Sequence, residues 1–283
     1  MNIQQILAKG YETLKGSGID SYVIDCQLLL SKVLKVDRLS IIINRDMIVE
    51  EGKVDEFLKL VDLRKEKMPV KYILGECEFM GLNFMVKPGV LIPRPDTEVL
   101  VEEVLSIIKE NKYTKICDVC CGSGAIGVAI GSLEKSTEVE CYDISDIACE
   151  VTSANIKALE VEERVKVFHS DLLQEALEKG KTFELIVSNP PYIRESVIPT
   201  LMEDVKTFEP YIALSGGEDG LEFYKKITEQ SLSVLKNGGV LAFEIGHDQK
   251  EEVSAIMREY GFSGVRALSD LAGNDRVVIG ELN

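Results

Sequence analysis

A doubly wound α/β sheet of seven strands, preceded by a small helical bundle, is the fold class this sequence predicts, and three observations predict it. Helical and β-rich segments alternate from Asp96 to Gly280, the pattern of strands joined by crossover helices. A strand at Lys115–Val119 runs straight into a glycine-rich turn that opens a helix, Cys120-Cys121-Gly122-Ser123-Gly124-Ala125-Ile126-Gly127. The first seventy or so residues instead carry apolar positions at helical spacing.

In order, Ile3, Ile6, Leu7, Tyr11 and Leu14 mark a first helix. Tyr22, Cys26, Leu29, Leu30, Val33 and Leu34 mark a second after the Gly16-Ser17-Gly18 break, and a third runs from about Val54 to Lys67. The third stops at Met68-Pro69, because the residue before proline is pushed out of helical space. From Tyr72 to Val86 short apolar runs separated by Gly75 and Gly81 suggest a β-hairpin. The expected division is a helical domain over 1–71, a hairpin connector over 72–88 and an α/β domain over 89–283. Within the last, helices are expected at Asp96–Asn111, after Gly124, at Ile147–Leu159, Leu221–Leu235 and Gln249–Tyr260. Strands are expected at Lys115–Val119, Glu138–Tyr142, Val165–His169, Phe183–Ser188, Val240–Ile245, Gly264–Leu268 and Arg276–Gly280.

Composition narrows the function. The 283 residues are 45% hydrophobic and 28% charged, which excludes disorder and fibre and leaves room for two cores. With 32 basic and 48 acidic side chains the net charge is −16, which argues against a general binder of nucleic-acid backbone. The start lacks a basic stretch followed by an apolar one, and no apolar run approaches the roughly 18 residues that span a bilayer. A cytoplasmic protein with no membrane partner is expected. Five of the seven cysteines (Cys117, Cys120, Cys121, Cys141 and Cys149) fall in one apolar stretch, as buried free thiols do. Cys117 and Cys120 have metal-ligand spacing but no second pair, and with two histidines in the chain no metal site is expected.

Gly122, Gly124 and Gly127 satisfy G-x-G-x-x-G, and Asp143 closes the next strand, where a carboxylate can accept from ribose hydroxyls. That signal leaves a nicotinamide dinucleotide, S-adenosylmethionine and a ligand-free turn all open. Two residues tip it. Asp118, just before the glycines, would repel a pyrophosphate and suit the cationic amino-acid end of S-adenosylmethionine. Asp171, after the third strand, is placed to accept from an adenine amino group while Leu172 packs on the ring.

The strand Phe183–Ser188 ends at Asn189-Pro190-Pro191-Tyr192. Two prolines restrict the segment and remove two donors, leaving the Asn189 side-chain oxygen and the Pro190 carbonyl as acceptors. An NH2 group can donate to both, which would aim its lone pair at an incoming methyl and stabilise the charge that develops. Tyr192 would offer a stackable wall. The scheme needs neither His169 nor His247, no nucleophilic cysteine and no metal.

The chain resembles the release-factor glutamine methyltransferases, a family of class I, S-adenosylmethionine-dependent enzymes with a Rossmann-like seven-stranded sheet. The likeness rests on Tyr72-Ile73-Leu74-Gly75, Leu91-Ile92-Pro93-Arg94-Pro95-Asp96-Thr97-Glu98, Gly122-Ser123-Gly124 and Asp143-Ile144-Ser145. It continues through Asn189-Pro190-Pro191-Tyr192, Phe208-Glu209-Pro210 and Glu244-Ile245-Gly246. The resemblance implies N5-methylation of the glutamine in the Gly-Gly-Gln motif of peptide chain release factors, with S-adenosyl-L-homocysteine as product and the N-terminal bundle helping to grip the protein substrate. It implies cofactor contacts at Cys120, Cys121, Gly122, Ser123, Gly124, Asp143, Leu172 and Asn189, to which the strand-end reading adds Asp171. Substrate contacts fall to Asn189, Pro190, Pro191, Tyr192 and Arg94, with Asn189, Pro190 and Tyr192 catalytic. Asp96 reads equally well as a helix cap. Cys120-Cys121 departs from the Gly-Thr usual in the family and puts a side chain where close backbone approach is expected.

The Asn-Pro-Pro-Tyr chemistry also serves enzymes that methylate amino groups of adenine or guanine in nucleic acids; the charge of −16 counts against that alternative. A nicotinamide-dependent dehydrogenase leaves the two prolines without a task. A non-catalytic adaptor for the translation machinery predicts binding without methyl transfer.

Overall fold

The computed structural model describes residues 1–283, which divide into two compact units. One is Met1–Glu76 with Met202–Phe208; the other is Cys77–Leu201 with Glu209–Asn283.

Five helices make up the N-terminal part of the first unit: α1 (Ile3–Gly16), α2 (Tyr22–Leu34), α3 (Arg38–Ile43), α4 (Glu51–Lys65) and α5 (Val70–Leu74). Helix α1 opens with a capping box in which Asn2 and Gln5 each bond the other's backbone N–H. Ile3, Ile6, Leu14, Leu29, Leu30, Phe57 and Val61 form one buried cluster. The helices meet closely at Gly10, where a Cβ would lie 2.8 Å from the Cys26 sulfur and 2.9 Å from the Phe57 ring. Arg64 near the end of α4 donates to Asp25 of α2 at 2.7 Å, with both side chains buried. Ser21 donates to the same carboxylate at 2.8 Å, so neither charge is left without a partner.

Two details of this unit differ from expectation. Helix α3 gives no sequence signal because six residues are too few to display a period. Tyr72-Ile73-Leu74, expected as β, belongs to α5, which starts after Pro69 and ends at Gly75 with φ +78°. Over so short a helix, consecutive apolar residues look the same as a strand.

The hairpin follows as β1 (Glu76–Phe79) and β2 (Leu82–Met85), turned through Met80 and Gly81 at φ +53° and +73°, as a tight hairpin requires. It is no free connector. Phe79 and Phe84 are buried with Leu100, Val104 and Ile116, and Asn155 accepts from the Met85 N–H at 2.7 Å and donates to the Met85 carbonyl at 3.1 Å.

After a 3-10 turn at Pro95–Thr97 come α6 (Glu98–Asn111), β3 (Lys115–Val119), α7 (Ala125–Leu133), β4 (Glu138–Asp143), α8 (Asp146–Ala158), β5 (Val165–His169), α9 (Gln174–Glu178) and β6 (Phe183–Ser188). A second 3-10 turn at Ile198–Thr200 precedes α10 (Glu203–Phe208), which groups with the first unit, and α11 (Tyr211–Leu214). The chain closes with α12 (Glu222–Val234), β7 (Leu235–Glu244), α13 (Lys250–Glu259), β8 (Phe262–Ser269) and β9 (Asp275–Leu282).

The seven strands run β5-β4-β3-β6-β7-β9-β8. All neighbours are parallel except β9, which is antiparallel to β7 and β8. The chain order reverses between β3 and β6, and the crevice at the C-terminal ends of such a pair is where this architecture binds ligands. Strand β7 starts earlier than expected because Gly238 and Gly239 interrupt its apolar pattern. Helices α9, α10 and α11 have four to six residues each and leave no periodic trace. All seven cysteines are free. No helix is long and apolar enough to cross a membrane.

Candidate active site

Val119, the last residue of β3, pairs with Ser188, the last of β6, so the glycine turn and the Asn-Pro-Pro-Tyr segment leave the sheet side by side. The turn is held from several directions. Cys121 N–H donates to the Tyr142 carbonyl at 3.1 Å and Gly124 N–H to the Cys121 carbonyl at 2.7 Å. Thr152 donates to the Gly122 carbonyl at 3.0 Å, and Asn155 to that of Ser123 at 2.8 Å. Asp143 accepts from Gly122 N–H at 2.8 Å and from Ser145 N–H at 2.9 Å. Burial pushes its carboxyl up, while those N–H groups favour the charged form.

Beside the turn lies a cavity of ≈ 270 Å³ whose wall includes Cys120, Gly122, Asp143, Asp171, Leu172, Asn189 and Pro191. Seven of the residues singled out in the sequence are thus brought to one concave surface. Two of them, Cys120 and Leu172, hold φ +60° and +50°, a left-handed backbone that costs a side-chain-bearing residue about 1–2 kcal/mol. At Gly122, also left-handed at φ +58°, a Cβ would meet nothing, so the backbone there stands open.

Cys121, Ser123 and Gly124 are not on that wall. They shape the turn from behind: Cys121 and Ser123 are buried, and a Cβ at Gly124 would lie 2.7 Å from the Thr152 methyl. Asp118 requires a correction. Fully buried, it does not face the cavity; it accepts from Gly127 N–H at 2.8 Å, because strand alternation turns it under the turn. Its second oxygen has no hydrogen-bond partner, and burial pushes its carboxyl up to about 8.

Asn189 donates to the Thr97 hydroxyl at 3.4 Å. Of the two prolines, Pro191 reaches the cavity wall and Pro190 does not, although no backbone N–H of the chain takes the Pro190 carbonyl. Tyr192, expected as the wall, stands behind it. Its hydroxyl donates to Glu244 at 3.3 Å, its carbonyl accepts from the buried Gln249 at 3.0 Å, and Gly216 comes so near that a Cβ would lie 2.7 Å from the Tyr192 Cα. Burial pushes the Tyr192 hydroxyl up, with the Glu244 charge adding to it. Glu244 itself is raised to about 7 by burial, against the pull of the Thr97 and Tyr192 hydroxyls and Arg276.

Arg94 likewise does not touch the cavity. It is bonded to Glu209, whose side chain is 1% exposed, and Glu209 leads directly into Pro210, Ile212 and Ala213 on the cavity wall. Asp96 pairs with Arg276 at 2.9 Å and caps no helix. Residues the sequence reading missed include Ile144, Phe223 and Lys226 on the wall. Ile144 stands beside Asp143 and was within reach of sequence reasoning, whereas Phe223 and Lys226 arrive from α12 with no local signal.

A crevice at the switch point of a parallel sheet, floored by a glycine turn and flanked by carboxylates at successive strand ends, is where this architecture takes nucleoside-type ligands. Residues 95–205 match the methyltransferase small domain family, which makes the class a methyltransferase, and residues 5–75 match the PrmC N-terminal domain family. Release factor glutamine methyltransferases from Clostridium botulinum and Clostridium acetobutylicum are 58% and 51% identical over 98% and 99% of this chain and 98% of each relative. The chain belongs to the release factor glutamine methyltransferase family. The fold is also similar to the solved N-terminal domain of human METTL16, at 17% identity, TM-score 0.54 and coverage of 85% of this chain and 86% of that one.

Proposed function

We propose that this chain methylates the side-chain nitrogen of the glutamine in the Gly-Gly-Gln motif of peptide chain release factors, giving N5-methylglutamine in the cytoplasm. The observation that carries the chemistry is that Asn189 shares one cavity wall with Gly122 and Asp143.

The cavity suits S-adenosyl-L-methionine, which when bound supplies a sulfonium methyl and leaves as S-adenosyl-L-homocysteine. Gly122 exposes backbone, Asp143 and Asp171 offer carboxylates, and Ile144 and Leu172 offer apolar surface. Each Asp143 oxygen already holds one N–H and keeps a lone pair for another donor. Because both oxygens are fixed by backbone, the acceptor is set before any ligand arrives.

The reaction end falls to Asn189 and Pro190. An amide nitrogen is a poor nucleophile because its lone pair is delocalised into the carbonyl. Asn189 Oδ1 and the Pro190 carbonyl accept its two N–H bonds, orient the lone pair and stabilise positive charge as it develops; as the nitrogen gains the methyl, one of its two protons is released to solvent. Pro191 restricts the segment, and Tyr192, braced by Glu244 and Gln249, holds it in place. The first unit carries Leu39, Ile43 and Ile48 at 63%, 68% and 75% exposure, a surface that supports a role in gripping the release factor.

Mass spectrometry of a purified release factor before and after incubation with the enzyme and S-adenosylmethionine tests this reading. One added methyl on the loop glutamine is expected. Label appearing only in RNA or DNA would replace the reading with nucleic-acid methylation.

A further inference from the structure

Thr97 and Asn189 come together from positions 92 residues apart, with Asn189 Nδ2 donating to Thr97 Oγ1 at 3.4 Å. We propose that Thr97 is a positioning residue for the transfer: its hydroxyl fixes the sense of the Asn189 amide, so that Oδ1 and not Nδ2 faces the substrate. The inference rests on the role given to Asn189 above.

The two ends of an asparagine amide are almost the same shape, and a half-turn about the last torsion exchanges an acceptor for two donors. Flipped, Asn189 would set its own NH2 against the NH2 it must hold. Something has to fix the sense, and in an enclosed site it must be a hydrogen-bond partner that can only be satisfied one way.

Thr97 qualifies because of what surrounds it. It is 4% exposed, on the turn Pro95–Thr97. A hydroxyl could serve the Asn189 amide as donor or as acceptor, so its own direction must be set as well. Glu244 sets it. This carboxylate is 2% exposed and faces both the Tyr192 hydroxyl, which donates to its Oε1 at 3.3 Å, and the Thr97 hydroxyl. Burial raises Glu244 to about 7 against the pull of the Thr97 and Tyr192 hydroxyls and Arg276; above that pH the group is ionised and can only accept. With its proton directed at Glu244, Thr97 presents lone pairs to Asn189, which answers with Nδ2. Polarity runs one way from carboxylate to hydroxyl to amide, and Oδ1 is left for the cavity.

Thr97→Val removes the hydroxyl at nearly constant volume. We expect kcat for release-factor methylation to fall about tenfold or more, with S-adenosylhomocysteine affinity unchanged and the melting temperature lowered by the loss of a buried donor to Glu244, and Thr97→Ser to recover most of both losses. Placed on Asn189→Ala and followed by labelled-methyl transfer at single turnover, Thr97→Val should cost nothing further, since its effect passes through the amide. If Thr97→Val does not fold, Thr97→Ala supplies the same comparison. Unchanged kcat in the hydroxyl-free variant, or an equal loss on both backgrounds, would overturn the proposal. Wild-type enzyme runs alongside: no transfer to the loop glutamine would overturn the underlying reading and this one together, whereas wild-type turnover with an indifferent Thr97 sinks this one alone.

Discussion

Ser188 Oγ donates to the Val119 carbonyl at 2.6 Å, both groups buried at the ends of adjacent strands. Each residue is the last before a segment proposed for the site, Cys120–Gly124 on one side and Asn189–Tyr192 on the other. This bond ties the separation of the two segments to the rigid sheet rather than to their loops, so the distance between the proposed cofactor and NH2 positions is set by the strands.

Asn189→Ala removes one of the two acceptors proposed for the NH2 group. The expected result is a fall in kcat of about a hundredfold or more, with the melting temperature within a degree or two of wild type. A variant that retained most turnover in a methyl-transfer assay would remove the side chain from the mechanism.

Arg94→Met discriminates between two roles. The guanidinium neutralises a carboxylate that is 1% exposed and anchors the segment that becomes the cavity wall. Losing the charge-assisted bond should cost about 1.5–3 kcal/mol, seen as a melting temperature lower by several degrees and weaker S-adenosylhomocysteine binding in calorimetry. If Arg94 gripped substrate instead, stability would hold and only KM for the release factor would rise.

Cys120→Gly tests the departure from the family's usual glycine. At φ +60° the cysteine bears a backbone cost of about 1–2 kcal/mol, partly offset because glycine loses about 0.5–1 kcal/mol more in chain entropy on folding. Thermal unfolding should show a small gain, of the order of 0.5 kcal/mol, the difference of those two costs. A clear loss would mean that the packing of the thiol outweighs the strain.

Asp118→Asn should flatten the dependence of stability on pH. Burial raises the Asp118 carboxyl from 3.8 to about 8, so between those values the folded protein keeps a proton that the unfolded chain has released. The stabilisation is complete below the unfolded value and is lost as pH rises through the folded one. Asparagine can still accept from Gly127 and has no such proton. Melting curves of the two proteins from about pH 4 to 8 should therefore diverge, wild type falling relative to the variant; parallel curves would contradict the shift. Glu244, raised to about 7, slopes the same way in both proteins and cancels.

The parts of the site that could be read from sequence are those whose chemistry is contiguous. Gly122-Ser123-Gly124 and Asn189–Tyr192 each carry their meaning within a few residues, because a tight turn and a rigid proline pair are local properties of the backbone. Strands β3, β5 and β6 appear with the expected bounds for a related reason: β6 is a nearly continuous buried apolar run, and β3 and the edge strand β5 each group β-branched residues, Ile116 with Val119 and Val165 with Val167, within five positions. The hairpin could be placed but not its role, since the contacts of Phe79 and Phe84 with α6 and β3 lie outside its own residues.

Asp118 and Arg94 show where reading along the chain stops. The sequence placed both near the cavity, and in the chain they are; which way each side chain points is settled by strand alternation in one case and by a partner 115 residues away in the other. Thr97 and Glu244 stood within motifs already noted, without any reason to connect them. The order of residues alone determined the sheet, the glycine turn and the acceptor-bearing segment, since steric and apolar patterns act over neighbouring positions. Only the tertiary structure decided which carboxylates meet solvent and which brace the backbone, because burial and hydrogen-bond direction depend on groups that the chain brings together from far apart.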